Sequence, residues 1–306
     1  MWGIYHDRLG RGHAPAAIAL CPAQWNSGGA VIQANDAFVE WKQQACRLRR
    51  LAVTTLAALA LSLALSQCGA PGAGVHHEVI SHGQFAQVRI LRPPGPPRVL
   101  VLLLSGDGGW SGELEELARR LNFRGAMVAG IDTREWLDAM EQGAATCAAP
   151  GPYLSDLAHF LREKYGLPEL PVVLVGHSAG ATLAYVALAQ ARARTFAGAV
   201  TLAFCTDLDL AKPLCPAPLL RSVPESGGAR LQAGQALPAP WITLHGLDDR
   251  ECPAAAARAF AAATPGARFM AIPQAGHAYD PTEGWTEMVL AAYAELAAAP
   301  APAGRP

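Results

Sequence analysis

Short continuous apolar runs recur along the chain from residue 99: 99–104 (VLVLLL), 126–131 (AMVAGI), 172–175 (VVLV), 198–204 (GAVTLAF) and 241–245 (WITLH). Runs of this length and composition predict strands buried on both faces of a parallel sheet. Between them the apolar period lengthens. Residues 113–124 carry Leu114, Leu117 and Leu121 on one helical face, and residues 153–165 carry Leu154, Leu157 and Leu161. Ser111 is placed to cap the first of these helices, and Gly125 and Gly166 to stop them. Further helices are expected over 181–191, 254–263 and 286–297, a partly alternating outer strand over 84–91, and a last strand over 268–272. Residues 133–151 and the Pro- and Gly-rich 205–239 read as irregular connections. No internal repeat is present. Strands alternating with helices predict an α/β fold, a mostly parallel central sheet with helices on both faces. Ligands of such sheets bind beyond the carboxyl ends of the strands.

The 306 residues are 51% hydrophobic with a formal net charge of -1. That length supports one sizeable core plus an extension, and the neutral balance gives no electrostatic reason to expect a nucleic-acid partner. The Ala-rich composition adds nothing about function.

The amino-terminal part reads as an address. Arg47, Arg49 and Arg50 precede an apolar segment, 51–65, too short for a spanning helix and suited to a secretory signal. Residues 47–68 are therefore expected to be a signal peptide or lipoprotein signal and the protein to be periplasmic. Leu65-Ser66-Gln67-Cys68 approaches a lipoprotein box, with Gln67 where a small residue belongs. A lipid anchor at Cys68 and peripheral membrane contact stay open. Residues 1–46 show no clear periodicity, and no methionine occurs between Met1 and Met127. A translation start downstream of Met1 would account for both. Residues 69–299 form the expected catalytic domain and 300–306 a low-complexity, disordered tail.

After Cys68 four cysteines remain, Cys147, Cys205, Cys215 and Cys252. An even number in an oxidising compartment predicts two disulfides. Of three possible pairings, the short loop favours Cys205–Cys215, leaving Cys147–Cys252.

The chemistry centres on Gly176-His177-Ser178-Ala179-Gly180, between a predicted strand and a small-residue helix. Strand, G-x-S-x-G, helix is the context of a nucleophile elbow, in which a tight turn presents the serine at the sheet's carboxyl edge. An acid and then a histidine should follow in chain order. His277, in Ala275-Gly276-His277-Ala278-Tyr279, is the one histidine after Asp249 and follows the last predicted strand. The acid lies in His245-Gly246-Leu247-Asp248-Asp249, where the common spacing of three residues after Gly246 selects Asp249, with Asp248 as the alternative. The oxyanion donors are expected to be the backbone N–H of Ala179 and that of Asp107, or else Gly108, in the glycine-rich loop after residue 104. That loop lacks the spacing and lysine of a phosphate-binding P-loop. Neither a cofactor nor a metal is called: His76 and His77 stand apart from other ligands, and no metal-ligand spacing is evident.

The series S-G-D-G-G-W, I-D-T-R-E-W, G-H-S-A-G-A-T, F-C-T-D-L-D-L-A-K-P-L-C, H-G-L-D-D-R-E-C-P and A-G-H-A-Y-D, over about residues 98–290, resembles the VirJ/AcvB-type bacterial virulence-factor family. The resemblance implies an exported α/β-hydrolase. Some members remove alanine or lysine from aminoacyl-phosphatidylglycerol, and others are described only as accessory to virulence or type IV secretion. The larger tandem members have a further amino-terminal domain, and the resemblance here covers a single catalytic domain. An aminoacyl-lipid substrate asks for a carboxylate near its ammonium, for which Asp107, Asp132 and Asp280 are candidates, and a cation for its phosphate, for which Arg134 and Lys212 are candidates. The partner is thus expected to be a membrane lipid or other ester. A general carboxylesterase or lipase, and a non-catalytic envelope accessory protein, are the competing readings.

Overall fold

The computed structural model describes residues 76–298. The expected extension at 1–46, the signal at 47–68 with Cys68, and the tail at 300–306 lie outside the described residues. Strands β1 (His76–His82), β2 (Phe85–Arg92), β3 (Val99–Leu104), β4 (Ala126–Ile131), β5 (Val172–His177), β6 (Gly198–Leu202), β10 (Trp241–Gly246) and β11 (Ala267–Ile272) form one eight-stranded sheet. Its order is β1-β2-β4-β3-β5-β6-β10-β11, antiparallel at β1–β2 and β2–β4 and parallel elsewhere. The central strands are buried along their whole length, as an apolar run without alternation requires.

Alternate side chains of β3 enter two cores. Leu100, Leu102 and Leu104 pack with helices α2 (Thr133–Gln142), α3 (Pro150–Tyr165), α4 (Ala179–Gln190) and α5 (Ala254–Ala262). Val99, Val101 and Leu103 pack with α1 (Gly112–Phe123) and α6 (Trp285–Ala298). Ser111 caps α1, its hydroxyl accepting from the N–H of Leu114. Helix α4 is buried continuously from Gly180 to Ala189, so its small residues fit a slot between the sheet and α3.

Three features depart from the sequence reading. Residues 133–142 are helical where an irregular connection was expected; Thr133, Trp136 and Met140 form the buried stripe and Asp132 caps it. Helix α3 begins at Pro150, three residues before the predicted start, because proline is compatible with a first helical turn. The 205–239 connection carries a small antiparallel sheet, β7 (Asp207–Asp209), β9 (Gly228–Leu231) and β8 (Ser222–Glu225).

The disulfides also depart from expectation. The bridges are Cys147–Cys215 and Cys205–Cys252, with Cα separations of 4.9 and 5.2 Å, not Cys205–Cys215 and Cys147–Cys252. Strand order decides the pairing. β6 and β10 are parallel neighbours, with Leu202 opposite Leu244, so the loops leaving their carboxyl ends bring Cys205 to Cys252. The extended β7 then carries the chain away, and Cys215 meets the segment before α3, where its N–H donates to Ala148 O at 2.8 Å and Ala148 N–H donates to Pro213 O at 2.8 Å. The bridged cysteines are 68 and 47 residues apart, and loop closure over such spans contributes about 4 kcal/mol each in the chain-entropy description.

Candidate active site

Ser178 sits between β5 and α4 with φ 51° and ψ -123°, a conformation L-residues rarely adopt. Two glycines make the turn possible. A Cβ on Gly176 would collide with the carbonyl of Gly180, and one on Gly180 would collide with the carbonyl of Ser105. The turn is anchored by the N–H of Ser178 donating to Leu202 O at 3.0 Å. Helix α4 starts at Ala179, whose N–H is one of the first-turn donors that have no acceptor within the helix.

The three residues selected in chain order meet here. Ser178 Oγ–H donates to His277 Nε2 at 2.8 Å, and His277 Nδ1–H donates to Asp249 Oδ2 at 2.9 Å. Asp249 is buried, and its Oδ1 accepts from the N–H groups of Glu251 and Cys252, both at 2.9 Å. Asp248 is exposed and serves the loop through its N–H, which donates to Ala275 O.

Two further histidines brace this chain of hydrogen bonds. His245, at the end of β10, is fully buried behind Asp249; its Nε2 lies 2.6 Å from Cys252 O and 3.1 Å from Asp249 Oδ2. Both neighbours are acceptors, so Nε2 carries the hydrogen. Burial holds this imidazole below its ordinary pKa, and Nδ1 has no hydrogen-bond partner among the described residues. The neutral ring therefore holds the Cys252 carbonyl and lies against the carboxylate without adding a charge. His177, within the elbow, donates Nε2–H to His277 O at 2.9 Å and is likewise held below its ordinary pKa, chiefly by burial. Residue type alone assigns these two histidines no role, although their positions, one residue before the nucleophile and four before the acid, mark them.

The S-G-D-G-G-W loop packs against the elbow. Ser105 Oγ accepts from the N–H of Thr133 at 2.9 Å. A Cβ on Gly106 would lie 3.3 Å from that of Ser178. Gly109 N–H donates to Gly106 O at 3.1 Å, closing a turn with Asp107 and Gly108 at its centre. The amides of those central residues are not used in closing the turn, and Gly106 to Gly109 line the cleft in front of Ser178. The expected oxyanion donors, the N–H groups of Ala179 and of Asp107 or Gly108, belong to the elbow and to this loop. Asp132 is committed to structure: Oδ2 accepts from the N–H of Trp110 at 2.9 Å and Oδ1 from that of Glu135 at 3.2 Å.

The cleft measures about 670 Å³, the size of a small-molecule site. Its lining includes four carboxylates, Asp107, Glu113, Glu251 and Asp280, and among the described residues no lysine or arginine. Hydrogen bonds from the Thr282 side chain and backbone hold Asp280 below the usual carboxylate range, and its own N–H and then Ser111 do the same for Glu113. Glu251 is 75% exposed, with Oε2 3.7 Å from His277 Nε2.

Of the two cations expected to hold a phosphate, Lys212 is engaged elsewhere and Arg134 is exposed beside Asp107 of the cleft. Lys212 Nζ donates to Met140 O at 3.0 Å and to Gly143 O, closing the carboxyl end of α2. Arg134 Nε donates to Asp107 O at 2.7 Å and is not among the residues lining the cleft. Both side chains satisfy backbone carbonyls, a demand that residue type and spacing do not reveal.

The arrangement is equipped for acyl transfer. The Ser178 proton can pass to His277 Nε2 as Oγ attacks an ester carbonyl. Asp249 holds the imidazole tautomer and stabilises the imidazolium. His277 then returns the proton to the leaving alcohol, and water repeats the sequence on the acyl-enzyme.

Residues 95–223 match the model of the Hydrolase_4 family, described as serine aminopeptidase, S33. Human monoglyceride lipase is 32% identical over 145 residues, 45% of this chain and 44% of the relative, and the rat enzyme is 28% identical with the same coverage. The chain thus matches less than half the length of these relatives. Among solved structures, a dienelactone hydrolase from Anabaena variabilis ATCC 29413 superposes with a TM-score of 0.51 at 20% identity, covering 72% of this chain and 96% of the other. Sheet order, nucleophile turn and structural likeness agree: the chain has the α/β-hydrolase fold.

Proposed function

We propose that this protein is a serine ester hydrolase with Ser178 as nucleophile, His277 as general base and acid, and Asp249 as its orienting carboxylate. The observation that carries this reading is the unbroken hydrogen-bonded series from Ser178 Oγ through His277 to the buried Asp249. The similarity of residues 95–223 to the Hydrolase_4 family supports it.

The finer proposal is an exported enzyme that removes the aminoacyl group of aminoacyl-phosphatidylglycerol. The resemblance to the VirJ/AcvB-type family supports it, as does the carboxylate-lined cleft. The ammonium of an aminoacyl ester lies two bonds from the scissile carbonyl, so a carboxylate must approach the reacting centre to meet it. Glu251, 3.7 Å from His277 Nε2, is such a carboxylate. The lipid phosphate then stays outside the cleft. Two disulfides and the signal-like segment support export. A neutral monoacylglycerol is the second reading, favoured by the similarity to monoglyceride lipase.

Deleting the gene is expected to raise the aminoacylated fraction of phosphatidylglycerol, with restoration by the wild-type chain and not by Ser178→Ala. With purified protein, Glu251→Gln is expected to lower kcat/KM on an alanyl ester by about fivefold, the worth of an exposed ion pair of about 1 kcal/mol, and to leave a simple acyl ester near wild type. An unchanged lipid profile under conditions where the aminoacyl lipid is made, with monoacylglycerol hydrolysed instead, rejects the finer proposal.

A further inference from the structure

The Cys205–Cys252 bridge lies beside the active-site imidazole: its two sulfurs and a ring nitrogen of His277 all fall within 4.8 Å of one another. They are the one such grouping of three or more metal-ligating side chains among the described residues. The ligands come from three separate loops, after β6, β10 and β11, so no linear spacing discloses them. All three residues are partly exposed, within reach of a reductant and an ion.

We propose that reduction of this bridge converts the corner of the active site into a Cys2His zinc site that captures His277 and switches hydrolysis off. A dithiol reductant supplies two electrons and two protons and leaves as its own disulfide. The Sγ–Sγ bond breaks and two thiols form. Zinc binds both sulfurs as thiolates, releasing two protons, and accepts the lone pair of one His277 nitrogen, with water completing a tetrahedron. Zn–S bonds of about 2.3 Å and a Zn–N bond of about 2.1 Å need sulfur–nitrogen separations of about 3.5 Å. The loops reach that from the present spacing by shifts of about 1 Å, with the sulfurs moving apart once unbonded. Either nitrogen disables the site. Bound through Nε2, His277 cannot accept the Ser178 proton; bound through Nδ1, it loses Asp249.

The full chain, reduced with a phosphine and freed of excess reagent, would be titrated with Zn²⁺ and its bound metal counted after gel filtration. Reduced wild-type protein is expected to hold one zinc more than reduced Cys205→Ser, Cys252→Ser or His277→Ala, and one more than the oxidised protein. Ser178→Ala is expected to bind zinc as wild type does, so the metal count stands whether or not the ester-hydrolase reading holds. In reduced wild type, zinc should lower hydrolysis of a nitrophenyl ester by about tenfold or more, reversibly with EDTA, and should spare reduced Cys205→Ser. Equal zinc in reduced wild type and Cys205→Ser, retention of the zinc by His277→Ala, or unimpaired hydrolysis with zinc bound would each overturn the proposal.

Discussion

Replacing Ser178 with alanine is expected to lower ester hydrolysis by about 10⁴-fold or more while leaving thermal unfolding near the wild-type temperature. The substitution removes one oxygen. The backbone at 178 is held by its neighbours, through the bond from Ser178 N–H to Leu202 O and the close approach of Gly176 to Gly180, and alanine adopts the conformation as readily as serine. His277 stays in place through Asp249 and through its carbonyl's bond from His177. What is lost is the atom that forms the acyl-enzyme. At about 1.36 kcal/mol per tenfold, such a loss corresponds to about 5 kcal/mol of transition-state stabilisation. Comparison of kcat/KM and unfolding curves of the two purified proteins measures both halves, and substantial turnover by Ser178→Ala would move the nucleophile elsewhere.

Asp249→Asn is expected to cost about 10³- to 10⁴-fold in kcat, and Asp248→Asn very little. The asymmetry follows from what faces each side chain. Three donors converge on the Asp249 carboxylate, the N–H groups of Glu251 and Cys252 on Oδ1 and His277 Nδ1 on Oδ2, with His245 Nε2 lying 3.1 Å from Oδ2. An asparagine has one acceptor oxygen. If it faces the two backbone donors, its NH₂ meets His277 and favours the tautomer protonated at Nε2, which cannot accept the serine proton. If it turns over, the NH₂ faces two N–H groups in a buried site, at a cost of about 1–3 kcal/mol in stability. Asp248 is exposed, and its loop contact uses the backbone N–H, which substitution preserves. Parallel kinetics on the two variants check the assignment, and the reverse order of effects would make Asp248 the acid.

The central strands and the three active-site residues were legible because each leaves a local mark. β3 and β4 are unbroken apolar runs, Ser178 is framed by glycines that the turn cannot do without, and Asp249 and His277 follow strands in order. Helix α2 was not legible: its buried stripe is only Thr133, Trp136 and Met140 in a ten-residue segment that also carries Arg134, Glu135, Asp138 and Glu141. The strands of the 205–239 segment are three or four residues long, too short for an alternating pattern to show. Disulfide pairing depends on β6 lying beside β10, a fact of topology, so proximity in sequence misleads. Lys212 looks available for a phosphate until the carbonyls of Met140 and Gly143 claim it. Glu251 stood in the acid loop unassigned because only folding brings it toward His277 Nε2.

Covalent labelling with a fluorophosphonate, read by intact mass and peptide mapping, tests the nucleophile most directly. The expected result is a single adduct on Ser178, absent from Ser178→Ala and formed far more slowly by His277→Ala. No adduct on folded wild-type protein, or an adduct that persists on another residue in Ser178→Ala, would contradict a Ser178-centred hydrolase.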